Sequence, residues 1–386
     1  MKRIRCVLSL LAAVMILAIN AAEIDYDKLP RAINIAPQDK FHVQGVAVDM
    51  QNEVVYLSFT SSLIKTDFQG NIIGSVVNMG GCHLGCLSFN PDDGMLYASC
   101  EYKSDEIGRS LRKSAGKTAA AADEVNETGF YVASFNGDEI NRVGIDAEES
   151  GIMRLAFLPQ VFNDYFAGVR NKGKEVKHRF GCSGIDGTAV APALRSFGRN
   201  SRLFVAYGIY GDTTRTDNDY QVILEYDIRQ IQSLSKAYSS SALHRSGPEK
   251  PVNIYFVLTG NTTYGVQNLN YDRATGNLFM AVYKGKKSCW PNYNLYVIDG
   301  SRKPEKKIIT GVEPEYRAKT LQLVENGRNK VTPGWNAPGG ATGLCSVGKG
   351  YFYIAKNAKN KEGRQYCTVE LYRWMPETEA GFVKVE

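Results

Sequence analysis

The sequence holds four histidines, His42, His83, His178 and His244, and two of them head phrases of one pattern, His42-Val-Gln-Gly45-Val-Ala-Val and His83-Leu-Gly85-Cys-Leu-Ser-Phe. Imidazole is the side chain most easily tuned to move protons near neutral pH. His42 and His83, brought to one place, suit general acid or base work and are the candidate catalytic residues. The other two histidines lie in His178-Arg179-Phe180 and His244-Arg245-Ser-Gly-Pro248, each beside an arginine. Tyr207-Gly-Ile-Tyr210, Gly260-Asn-Thr-Thr-Tyr264 and Tyr283-Lys284-Gly-Lys286 are further loop segments rich in aromatic, amide and cationic groups. Rings stack on sugar faces, and a guanidinium neutralises a carboxylate through two parallel hydrogen bonds. Arg179, Tyr210, Arg245, Tyr264 and Lys284 are therefore candidate substrate-binding residues for a carbohydrate.

Other chemistries lack their patterns. There is no Gly-x-Ser-x-Gly elbow, no His-Glu-x-x-His, no phosphate loop and no Gly-x-Gly-x-x-Gly, and no cofactor is expected. Cys82-His83-x-x-Cys86 superficially looks like a metal cluster. On a strand, however, Cys82 and Cys86 share one face while His83 points to the other, so no metal site is expected. Glycoside hydrolysis by a carboxylate pair would draw on Asp186, Asp212 and Asp219, whose spacing singles out no two of them.

The same phrases define the elements that must position these groups. A polar or small residue, then glycine or asparagine, then alternating apolar positions returns at Cys182-Ser-Gly184-Ile-Asp, Tyr264-Gly-Val-Gln-Asn268-Leu and Thr342-Gly343-Leu-Cys-Ser-Val, each opening a new run of strands. Such recurrence is the mark of an all-β β-propeller, in which the inner strand of every blade starts beside a central axis. Five inner strands are legible. Residues 43–77 read as four consecutive strands, whereas residues 103–127 read as a long excursion, and weakly patterned stretches near 151–180, 229–250 and 311–335 leave room for two further blades. A strand near residues 32–36 is expected to close the ring against the C-terminal blade, which removes exposed sheet edges.

Residues 1–22 read as a secretory signal, with Lys2, Arg3 and Arg5 ahead of a short apolar run and Asn20-Ala21-Ala22 at the end, too short for a membrane span. The mature chain, residues 23–386, is expected to be one propeller domain, periplasmic or extracellular and monomeric, with no transmembrane segment. Three of the 46 Lys and Arg and none of the 40 Asp and Glu lie in the signal, so the net charge falls from +6 to +3. With the basic residues scattered, no nucleic-acid partner is expected. Of the eight cysteines, four (Cys82, Cys86, Cys182 and Cys345) fall in the inner-strand phrases, and their disulfide state is left open.

The phrases His178-Arg-Phe-Gly-Cys-Ser-Gly-Ile-Asp-Gly187, Tyr207-Gly-Ile-Tyr-Gly-Asp212, Thr214-Arg-Thr-Asp-Asn-Asp219, Thr259-Gly-Asn-Thr-Thr-Tyr-Gly-Val-Gln-Asn-Leu269 and Ala281-Val-Tyr-Lys-Gly-Lys286 resemble a known family. Its members are secreted propellers that remove terminal L-rhamnose linked α-1,4 to D-glucuronate on arabinogalactan and gum arabic side chains. They are described both as rhamnosidases and as rhamnose-glucuronate lyases. The resemblance implies seven blades, a plant arabinogalactan or gum oligosaccharide as partner, and a sugar site dependent on histidine. Some members carry glutamine in place of that histidine and are inert. The first inner strand offers both residues, so His42 takes the catalytic role and Gln44 is added to the substrate-binding set, and a catalytically inert glycan-binding propeller is the alternative. For a lyase, His42 would be base or acid with His83 or Tyr264 as complement, and Arg179 or Arg245 would clamp the uronate carboxylate. A hydrolase would instead activate water at the rhamnose anomeric carbon.

Overall fold

The computed structural model describes residues 24–36, 38, 40–114, 116, 124–194, 201–241 and 243–386; the expected signal, residues 1–22, lies outside the described residues. Each inner-strand phrase opens a blade. Blade 1 is Val43–Asp49, Val54–Phe59, Ser62–Asp67 and Ile72–Val77, joined by the parallel strand Ile145–Asp146. Blade 2 is His83–Asn90, Met95–Tyr102, Gly129–Asn136 and Arg154–Phe157, with Lys236–Ala237 on its edge. Blade 3 is the widest, running from Cys182–Pro192 through Ser201–Ile209, Tyr220–Asp227 and Asn253–Leu258 to Tyr316–Thr320 and Glu305–Ile309. Blade 4 is Thr263–Asp272, Asn277–Tyr283 and Leu295–Ile298, extended by bridges to Leu323 and Trp335. Blade 5 holds Leu344–Gly348, Tyr351–Lys359 and Gln365–Trp374, and the N-terminal strand Ala32–Ile35 pairs with the last of these, as the ring-closure argument expects.

The propeller has five blades, which corrects the seven implied by the resemblance. The stretches that left room for two more build no blade of their own. Residues 151–180 supply the fourth strand of blade 2, the helix Pro159–Phe166 and the hairpin Gly168–Asn171/Lys174–Lys177. Residues 229–250 supply part of the helix Ile228–Leu234 and the edge strand of blade 2, and residues 311–335 an outer strand of blade 3. Fewer blades must each fill a wider wedge, and these outer strands and helices fill it. The basic strand Glu305–Ile309 pairs with Tyr316–Thr320 and belongs to blade 3.

The ring closes through its inner strands: blade 1 touches blade 2, then 3, 4, 5 and back to 1. Five apolar clusters lie between the blades, one at each junction. Because both faces of a blade are covered, a middle strand such as Val54–Phe59 is buried at every position, and its sequence shows a continuous apolar run. The repeated glycines let the inner strands approach: a β-carbon on Gly45 would lie 2.9 Å from Cys86 Cα of the neighbouring blade. Across the axis, Asn268 Nδ2 donates to the carbonyls of Gln44 (2.8 Å) and Ala341 (3.0 Å), tying blade 4 to blades 1 and 5. Cys82 and Cys100 form a disulfide between the first two strands of blade 2. Among the described residues no helix is long and apolar enough to cross a membrane.

Candidate active site at the axial mouth

Inner strands start, and second strands end, at the same mouth of the ring. There, cross-strand partners His83 and Glu101 of blade 2 face blade 3. Glu101 is buried, and its carboxylate accepts from the Ile185 amide (2.5 Å), meets Lys103 Nζ at 2.7 Å and lies 3.8 Å from His83 Nδ1. Burial alone would make it a weaker acid, but the Lys103 ammonium and the contact with His83 hold it below the usual carboxylate value. Lys103 Nζ also donates to Ser183 O (3.0 Å) and lies 3.5 Å from Asp105, so its three donors are committed. Gly184, at φ +131°, gives Glu101 its room, since a β-carbon there would overlap the carboxylate.

Asp186 lies two residues further along that inner strand. The ladder slips at this point, between Ile185 and Thr188, and a bulge of this kind re-aims a side chain out of strict alternation. The carboxyl is walled by Gly85 and Gly208, whose added β-carbons would stand 3.4 and 3.2 Å from its oxygens, and it accepts from Gln267 Nε2 at 2.9 Å. Burial, with the Glu101 charge adding to it, pushes Asp186 up to about 7. One carboxyl thus holds a proton near neutrality while its neighbour stays ionised, the division of labour that acid–base catalysis needs.

Around this pair stand tyrosines. Tyr264 is 54% exposed and sits at φ 67°, a left-handed conformation that a bulky residue adopts only when the surroundings impose it. Its carbonyl accepts from Gln267 Nε2 at 3.0 Å, and its ring meets Tyr283 edge-on at 6.4 Å. The Tyr283 hydroxyl is raised by burial and by the nearby Asp186 charge. Tyr210 shares a hydrogen bond with Tyr165, and the His178 ring packs against both, at 5.0 and 4.6 Å.

Of the candidates from sequence, His83, Tyr210 and Tyr264 stand about this cluster. Gln44 lies on the adjoining inner strand, where Nε2 donates to Thr60 Oγ1 at 3.1 Å. His42 precedes that strand, and its Nδ1 lies 2.9 Å from the Val43 carbonyl. Lys284 is exposed on the lip beside Tyr283 and donates to Asn336 Oδ1 at 2.7 Å. The two arginines lie elsewhere. Arg245 is held over the rings of Phe157 and Phe162 (4.7 and 4.5 Å) and donates to the carbonyls of Thr128 and Val125, a packing role. Arg179 pairs with Asp164 at 3.2 Å in a hollow on the flank of blade 3. Asp212 caps Thr214 and Asp219 pairs with Lys287, which leaves Asp186 as the acid of that trio at the mouth. The sequence reading missed Glu101 and Lys103. Their signal was available: Glu101, in register with His83, breaks the largely apolar strand Met95–Tyr102, and Lys103 follows directly after it. Among the described residues no group of three His, Cys, Asp or Glu could hold a metal, and the Cys82 thiol is spent in the disulfide.

No protein-family model matches the chain, and no curated protein does. Solved structures similar to it include the arabinanase Arb43A of Bacillus subtilis, 10% identical with a TM-score of 0.39 over 88% of this chain and 96% of that one. A GH43_1 enzyme from Xanthomonas citri complexed with xylotriose is 10% identical with a TM-score of 0.41 over 92% and 94%. A gluconolactonase from Xanthomonas campestris is 11% identical with a TM-score of 0.33 over 87% and 88%. Likeness this distant carries no argument about chemistry, which is read from the site alone.

Proposed function

We propose that the protein is an exported carbohydrate-active enzyme that releases terminal L-rhamnose from glucuronate on arabinogalactan side chains, with proton transfer centred on Asp186 and His83. The observation that carries this reading is the Asp186 carboxyl, half-buried at the axial mouth and held at about 7 beside an ionised Glu101. Asp186 gives its proton to the glycosidic oxygen. His83, held near Glu101, takes one from the attacking water, and the C–O bond at the rhamnose anomeric carbon breaks as the new one forms. Tyr264 offers a ring face to the sugar, Lys284 is tied to Asn336 on the lip beside it, and His42 and Gln44 extend the mouth on the blade 1 side.

Hydrolysis is favoured over elimination. A lyase needs a cation on the uronate carboxylate to make C5 acidic. Arg245 is engaged in packing, Arg179 is paired with Asp164, and Lys103 is saturated by Glu101, Asp105 and Ser183. The substrate itself rests on the resemblance of the phrases quoted above. Incubation with a rhamnose-glucuronate disaccharide tests the reading: free rhamnose without new ultraviolet absorbance means hydrolase, and absorbance from a C4–C5 double bond means lyase. Saturable binding with no release would replace the enzyme by the inert glycan-binding propeller, which the mutual satisfaction of Glu101 and Lys103 favours.

A further inference from the structure

On the flank of blade 3, away from the Asp186 carboxyl, the helix Pro159–Phe166, the hairpin that follows it and the segment 312–316 enclose a hollow of about 450 Å³, large enough for a small ligand. Its apolar side is an aromatic set: Tyr316, 38% exposed, packs against Phe180 and Phe256 at 5.6 and 5.7 Å. Its polar side is the Arg179–Asp164 pair. Asp164 is buried and raised by that burial, with Tyr207 Oη (2.7 Å) and Gln160 Nε2 (3.0 Å) donating to one carboxyl oxygen and Arg179, half-exposed, reaching the other.

The backbone that delivers Arg179 and Phe180 to this hollow is strained and clamped. His178 and Phe180 sit at φ 67° and 57°, left-handed conformations that residues with side chains rarely adopt. Arg215 holds the turn: its guanidinium donates to the carbonyls of Lys177 (2.6 Å) and His178 (2.7 Å), and Asp217 holds the guanidinium through both carboxylate oxygens. Arg215 and Asp217 are buried. Such a device is more than packing requires, since an ordinary turn would connect the hairpin to the inner strand at less cost.

We propose that this hollow is a second glycan-binding subsite that takes a neutral sugar unit of the same polymer, with Tyr316 as the stacking surface and Arg179, anchored by the buried Asp164, donating to adjacent hydroxyls. The inference rests on the carbohydrate reading of the axial mouth but uses none of its residues. The charge balance selects the neutral sugar: Asp217 is matched by Arg215, and the carboxylates of Asp164, Glu175, Glu313 and Glu315 outnumber the guanidiniums of Arg170 and Arg179. A uronate would meet that surplus of like charge, whereas a hydroxyl pair donates to a carboxylate and accepts from a guanidinium. A second hollow of about 410 Å³ adjoins across Tyr316, sharing Gln160 and Ile254 and adding Asn253 and the cations Lys250 and Lys319, so the acidic surplus belongs to the first hollow, where the neutral unit is assigned. The two together form a groove with Tyr316 as its ridge, suited to an extended chain.

Calorimetric titration of the full chain with a galactan oligosaccharide tests this, with glucuronic acid as competitor and rhamnose release from the disaccharide assayed separately. Expected is saturable binding that Tyr316→Ala weakens about tenfold, Tyr316→Phe preserves and glucuronic acid does not displace. Asp186→Asn should leave it unchanged. If Tyr316→Ala does not fold, Arg179→Gln carries the same expectation. Absence of galactan binding, equal binding by Tyr316→Ala, or displacement by glucuronic acid overturns the subsite. Galactan binding without rhamnose release would sink only the catalytic reading, and release without galactan binding only the subsite.

Discussion

Replacing Asp186 by Asn should make the protein more stable at alkaline pH and leave it unchanged in acid. In the unfolded chain an aspartate ionises near 3.9, while in the folded protein burial and the Glu101 charge hold Asp186 at about 7. Below about pH 4 the group is protonated in both states and contributes no difference. Between roughly pH 4 and 7 the unfolded chain gives up the proton and the native state keeps it, so stability falls as pH rises, by about 1.4 kcal/mol per pH unit. Above pH 7 both forms are ionised and the full cost, about 4 kcal/mol, persists. Asn fills the same space and still accepts from Gln267, but it has no proton to lose. For a chain of this size, with unfolding entropy of about 2 cal/mol/K per residue, that corresponds to about 5 °C in Tm. Thermal unfolding of both proteins from pH 4 to 8.5 should therefore give curves that coincide in acid and separate toward pH 8, the variant melting higher. The variant should also have lost rhamnose release. Parallel pH dependences would show that Asp186 titrates as an ordinary surface acid and would remove the physical basis of the site.

Other substitutions follow from the same geometry. Glu101→Gln leaves the buried Lys103 ammonium with the Ser183 carbonyl and, as its opposite charge, only Asp105 at 3.5 Å, and denaturant titration should show a loss of about 3–5 kcal/mol. Gly184→Ala forces a β-carbon onto Glu101 at a positive φ; the expected loss is about 3 kcal/mol, again by denaturant titration, with activity abolished. Arg245→Gln removes a cation held against two rings and two carbonyl hydrogen bonds. It should cost about 2 kcal/mol of stability while the KM for the disaccharide stays unchanged, the opposite of what a carboxylate clamp would show.

Much of the architecture was legible because inner strands announce themselves. A polar head, a glycine and an apolar alternation recur wherever a strand must begin at the axis and lie close to its neighbour, and all five such phrases open blades. The count of seven failed because an outer strand such as Tyr316–Thr320 or Arg154–Phe157 looks the same in sequence whether it starts a new blade or widens an old one. The candidate site was legible in part: His83, Tyr210 and Tyr264, which the fold brings near Glu101 and Asp186, stand in or beside the phrases. The positions of Arg179 and Arg245 away from that mouth were not legible, because a guanidinium on a loop reads alike whether it faces a ligand, an aspartate or a phenylalanine ring.

Local covalent order determined where the strands begin, which positions had to be glycine and that the chain would close on itself, since these depend on backbone sterics and short-range alternation. Only the folded ring decided which groups share a dielectric environment. The ladder slip between Ile185 and Thr188 breaks the two-residue period that would have told which way Asp186 points. The neighbour that raises its affinity for a proton comes from another blade, 85 residues earlier in the chain. Electrostatic coupling acts through space at a few ångströms, and no spacing along the sequence encodes it.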